Sequence, residues 1–121
     1  MQGGEGFGNG RVKIVDFGTA SKFKPGVKYS EIYGSATYLS PEMLNMEYTE
    51  KCDVWSLGVV LYILILRKMP YDGNLDEEVI KNIKKNAITF NDALSLKKSI
   101  ECIDLMKRML YKDPNSRSTM T

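Results

Sequence analysis

Sixteen residues in the middle of the chain, KCDVWSLGVVLYILIL at 51–66, constrain everything around them. Across 54–66 only Ser56 and Gly58 are neither apolar nor aromatic. A helix of that composition has almost no face to offer water and belongs in an interior. Its helical length is roughly 24 Å, short of the about 30 Å that a bilayer core demands, so the pattern predicts a core helix and not a membrane span. The ends agree with this. Thr49, Glu50 and Asp53 fall where the positive end of a helix dipole favours oxygens and carboxylates. Arg67 and Lys68 follow the last turn, and Pro70 forbids continuation.

A chain of 121 residues makes one domain at most, or part of one. Hydrophobic residues at 43% and charged ones at 26% describe an ordinary soluble globular sequence. The net charge of +2 comes from scattered lysines with no basic run interleaved with aromatics, so no nucleic-acid partner is expected. Cys52 and Cys102 lack metal-ligand spacing, and there is no histidine to complete a site. Both read as reduced thiols inside helices, which suits a reducing compartment and a cytoplasmic location. No secretory signal is visible in the first residues.

Residues 1–10 hold five of the ten glycines and read as a flexible start. Their spacing does not meet G-x-G-x-x-G, so they do not read as a phosphate loop. RVKIVDF at 11–17 predicts one short strand. From Gly18 to Ser40 no period is sustained, and so long a connection implies function or disorder. Ser40 and Pro41 can open a short helix at 41–44. Beyond the core helix, Asn74 and Glu77 have capping-box spacing. Leu75, Val79, Ile80, Ile83 and Ala87 make an apolar face, opposite Glu78, Lys81 and Lys85. A last helix is predicted over 99–111, with Ser99 as cap and Ile100, Ile103, Met106 and Leu110 inward, ended by Asp113-Pro114-Asn115. The outline is mainly α: one strand, a long loop, then helices around a buried central one.

Four short motifs stand in order along this outline. Asp16-Phe17-Gly18 leaves the strand. Ser40-Pro41-Glu42 ends 24 residues later, and Asp53 begins DVWSLG eleven residues on. Asp113-Pro114-x-x-Arg117 closes the helical part. Together they resemble the large lobe of a eukaryotic protein kinase, from the magnesium-binding DFG to just past the last-but-one helix. KCDVWSLGVVLYILI followed by MPYDG is most similar to the calcium/calmodulin-dependent and calcium-dependent Ser/Thr kinases. The resemblance covers nearly all of residues 11–121 but less than half of the family's domain.

The resemblance implies a role for each position. Asp16 would hold Mg²⁺, Phe17 would pack inward and Gly18 would permit the turn. Residues 19–42 would be the activation segment. Gly34, Ser35 and Tyr38 match G-T-x-x-Y and form the substrate platform, with Ser35 in place of threonine. Ser40 stands for the usual alanine of A-P-E, and Glu42 would pair with Arg117. Ser21, Tyr29, Ser30 and Tyr33 are hydroxyls that phosphorylation could reach, with no choice among them. Asp53 would accept N–H bonds from the catalytic loop, H-R-D-x-K-x-x-x-N, which supplies the base. This sequence contains no such loop, so Asp53 reads as a buried-style acceptor whose donors lie elsewhere, and no catalytic residue is assigned. Unpaired and buried, it would cost several kcal/mol or protonate.

The expectation is therefore a partial Ser/Thr protein kinase domain. ATP, Mg²⁺ and a protein substrate are implied by family, and the chain itself is expected to be inactive. A calcium-sensing region outside the chain is compatible with the subgroup. One alternative is a kinase-derived, non-catalytic interaction module or pseudokinase fragment. A third reading is an incomplete gene model with the missing motifs upstream of Met1.

Overall fold

The apolar stretch forms α1, Lys51–Leu66, at the centre of a computed structural model that describes residues 10–120. The glycine-rich start, expected to be flexible, lies outside the described residues except for Gly10. Thr49 Oγ1 accepts from the Lys51 amide at 3.4 Å, and Asp53 sits in the first turn. At the other end Arg67 turns left-handed, at φ 54°, and its N–H donates to the Ile63 carbonyl. Trp55, Val59 and Tyr62 are sealed inside. Gly58 lets α1 and the last helix close on each other: a Cβ there would lie 2.9 Å from Met109 Cβ.

One flank of α1 departs from expectation. Leu57, Val60 and Leu64 recur at helical spacing yet are exposed, Leu64 to 70%. The reason is that the neighbouring elements all pack on the other side. None of the described residues covers this flank. No helix among the described residues is long and apolar enough to cross a membrane.

Three further helices complete the core. α2, Asp76–Lys85, has acidic residues in its first turn and Lys84 and Lys85 in its last, as the helix dipole favours. Val79 and Ile83 are buried, whereas Leu75 and Ala87, expected on the same face, are exposed because they lie beyond the helix ends. The expected Asn74–Glu77 capping box does not form: the Asn74 amide donates to Glu78 Oε2 at 2.8 Å. The short α3, Asn91–Ser95, was not anticipated. It buries Ala93, and the chain before it is tied down by Tyr62 Oη to the Thr89 carbonyl and Tyr71 Oη to the Asn86 carbonyl. α4, Ile100–Met109, is capped by Ser99, whose Oγ accepts from the Cys102 amide at 3.2 Å. Ile103, Met106 and Leu110 face inward; Ile100, in the first turn, projects past the core and is exposed.

The strand predicted at 11–17 is absent. Val12, Ile14 and Val15 are all exposed in irregular backbone. A strand needs a neighbour to take its N–H and C=O groups, and none of the described residues pairs with this one. The expected 41–44 helix is a 3-10 turn at Met43–Asn45, with Ser40 Oγ accepting from the Met43 amide at 3.4 Å. Within the long loop, an isolated antiparallel bridge joins Tyr29 to Tyr48 through two backbone hydrogen bonds of 2.8 and 3.0 Å. Lys28 and Glu47 add an ion pair beside it at 3.1 Å.

Candidate functional site

Arg117 is the most densely bonded side chain near the loop. Asp113 builds the turn that delivers it. Asp113 Oδ1 accepts from the Asn115 amide and Oδ2 from Ser116 Oγ, both at 2.9 Å, while the Arg117 amide donates to the Asp113 carbonyl. Those hydrogen bonds hold the Asp113 carboxyl below its ordinary pKa, the Asn115 amide contributing most. Arg117 is 2% exposed and forks onto both carboxylate oxygens of Glu42, with Nη2–Oε2 at 2.9 Å. Its remaining donors go to the carbonyls of Tyr111, Lys51 and Lys112. The guanidinium lies 5.2 Å from the Trp55 ring centroid, within cation–π range. One side chain thus joins the end of the loop, the start of α1 and the C-terminal turn.

Asp16 and Asp53 line the same open concavity of about 910 Å³, along with Gly34, Ser35, Tyr38 and Ser56. Asp16 adopts left-handed backbone, φ 65°, and leads into a 3-10 turn at Phe17–Thr19. Phe17, expected to pack inward, is 68% exposed. No slot for its ring is built from the described residues. Gly34 takes φ 99°, where a side chain would be strained, and precedes a 3-10 turn at Ala36–Tyr38. The Ala36 methyl is buried in the core beside Trp55 and Val59.

Asp53 also corrects an expectation. It was read as a buried-style acceptor; it is exposed, facing the concavity near the DFG turn. Exposed, it carries no burial penalty. Cys52 Sγ donates to Asp53 Oδ1 at 3.7 Å. Burial, with Asp53 adding to it, pushes the Cys52 thiol up to about 12. Cys52 is buried, Cys102 half-buried, and both are free.

Among the described residues, no group of three or more His, Cys, Asp or Glu could hold a metal. Asp16 offers a single exposed carboxylate. Mg²⁺ uses one or two carboxylates with phosphate oxygens and water, so Asp16 fits one position of such a site and leaves the others to be filled.

Sequence reasoning missed the three carbonyls on Arg117 and the Trp55 contact. It also missed a bond from Ser56 Oγ on α1 to the Tyr38 carbonyl, 2.8 Å. A backbone acceptor leaves no mark in a sequence.

Comparison with known proteins bears on the whole arrangement. The protein kinase domain family profile matches residues 6–121. The chain is 42% identical over 108 residues to Calcium-dependent protein kinase 21 of Oryza sativa subsp. japonica, which is 89% of this chain and 19% of that protein. To Calcium-dependent protein kinase 14 of Arabidopsis thaliana it is 41% identical over 108 residues, 89% of this chain and 20% of the relative. To Calcium-dependent protein kinase 4 of Plasmodium berghei (strain Anka) it is 37% identical over 99 residues, 82% and 19%. The chain therefore spans about a fifth of the length of these relatives. With a profile match of that extent, this chain belongs to the protein kinase domain family.

Proposed function

We propose that the chain supplies one metal ligand and the substrate platform of a Ser/Thr protein kinase. In the complete catalytic unit, a Ser or Thr hydroxyl oxygen attacks the γ-phosphorus of ATP and the bond to the β–γ bridging oxygen breaks. ADP leaves, and the hydroxyl proton passes to a base that this chain lacks. The observation that carries this reading is the fork of Arg117 onto Glu42, which fixes the end of the loop to the helical core beside the wall bearing Asp16 and Asp53. Asp16 is the proposed Mg²⁺ ligand; when bound, the ion neutralises charge on the transferred phosphoryl group. Asp53 is the proposed brace for a catalytic loop supplied from elsewhere, and Gly34, Ser35 and Tyr38 the proposed platform.

Catalysis of this kind is nearly all positioning and electrostatics, and this chain holds too few of the parts. The isolated chain should show no phosphate transfer above a blank with a Ser/Thr peptide and Mg-ATP; turnover by purified, kinase-free protein overturns that. In a chimera where residues 11–121 replace the matching part of a calcium-dependent relative, activity should return. Asp16→Asn should then lower it by about 10²–10³-fold, the scale of losing one electrostatic contact in the transition state. A chimera indifferent to Asp16 refutes the assignment. A calcium-sensing region and a cytoplasmic location, compatible with the free thiols, belong to the same proposal.

A second reading, a kinase-derived interaction module, is favoured by the open flank at Leu57, Val60 and Leu64. It requires the chain to fold alone. A sharp melting transition supports it; a molten state that binds apolar dye counts against it.

A further inference from the structure

Between Gly34 and the buried pair Leu39 and Ser40, two contacts hold the loop to α1: the Ala36 methyl in the core and the Tyr38 carbonyl on Ser56 Oγ at 2.8 Å. The same Oγ lies 3.1 Å from the carbonyl of Cys52, one turn back in its own helix. A serine hydroxyl carries one hydrogen, so the two carbonyls compete for it, and the shorter contact to the loop has the better claim.

We propose that Ser56 is a positioning residue acting as a reversible latch on the 34–38 platform. When the loop lifts, the hydroxyl rotates to the Cys52 carbonyl, the back-bond that serine commonly makes inside helices. No buried donor is orphaned, and the freed carbonyl of the exposed Tyr38 meets water. Opening therefore costs about one neutral hydrogen bond and the exposure of the small Ala36 methyl, and it leaves no buried polar group unpaired. Four residues further on, the Glu42–Arg117 pair cannot open on those terms, because both charges are buried. The loop thus has a fixed pivot at Glu42 and a movable stretch before it. That the movable stretch carries a peptide substrate rests on the reading above.

Hydrogen exchange on the 121-residue chain tests the latch. Ser56→Ala should speed exchange of the Tyr38 and Leu39 amides about fivefold, the loss of one net hydrogen bond, while amides of α4 keep their rates. Ser56→Thr, which keeps the hydroxyl, should restore the wild-type rate. Unchanged exchange at 38–39, equal acceleration in α4, failure of Ser56→Ala to fold, or no recovery in Ser56→Thr each overturns the latch. The measurement uses neither ATP nor peptide, so its failure is separate from failure of the kinase reading, which the chimera assay tests.

Discussion

Arg117→Ala should be the most damaging single truncation in this chain. The side chain it removes is 2% exposed and neutralises Glu42, itself 8% exposed. Breaking a buried pair by deleting one partner costs about 3–5 kcal/mol, because the remaining charge stays out of water. Here the deletion also strips a donor from the carbonyls of Tyr111, Lys51 and Lys112 and the cation from the face of Trp55. Domain stabilities run to about 5–15 kcal/mol, so the loss is a large share of the whole. Trp55 is the sole tryptophan and lies under the guanidinium, which makes its fluorescence during urea unfolding the direct assay. The expected result is an unfolding free energy lowered by about 3–5 kcal/mol, seen as a lower urea midpoint, or no cooperative transition left. Arg117→Lys should recover only part, since an ammonium cannot fork onto a carboxylate. Replacing Glu42 and Arg117 together by methionine should not be neutral, unlike many buried pairs, because three carbonyls would still lose their donor. An Arg117→Ala variant within about 1 kcal/mol of wild type, the range of an exposed pair, refutes the reasoning.

Other outcomes follow from burial. At pH 8 an alkylating reagent should modify Cys102 promptly and Cys52 only on unfolding, since the thiolate is the reactive form and the Cys52 thiol is pushed up to about 12; two fast thiols refute this. Burial likewise pushes the Tyr71 phenol up to about 12. Both groups favour their neutral forms when folded, so their contribution is intact below about pH 9 and is lost as pH rises through about 12. The urea midpoint should therefore fall between pH 8 and pH 11, and a rising one is the wrong sign. Gly58→Ala gains about 1 kcal/mol of helix propensity but forces a Cβ to 2.9 Å from Met109 Cβ. Overpacking of about 1–3 kcal/mol should win, and a variant more stable than wild type by thermal melting would show that α4 yields freely.

The central helix was legible because its signal lies in its own residues: a continuous apolar run, acceptors before it and a proline after it. The Ser99 cap was legible for the same reason. The strand at 11–17 was not, because a strand's stability belongs to the pair and not to either member. Phe17 and Asp53 differ from expectation on similar grounds, since none of the described residues covers them. Residues 91–95 are too few to display a helical period. Glu42 and Arg117 meet across 75 residues, a distance no periodicity spans, and only the resemblance to protein kinases pointed to the pairing. The latch on Tyr38 was hidden because one of its partners is a peptide carbonyl, the same in every residue type.

The Tyr29–Tyr48 bridge has a consequence for how this loop tolerates change. By pinning two positions 19 residues apart, it turns the intervening chain into a nearly closed ring. Closure entropy rises only with the logarithm of ring size, so four extra residues would add about 0.2 kcal/mol. Length variation in the exposed part of the ring, residues 30–33, is then cheap as long as the pinned tyrosines stay paired. Cutting the pin instead loosens the exposed arm only as far as Ala36, where the core takes hold again.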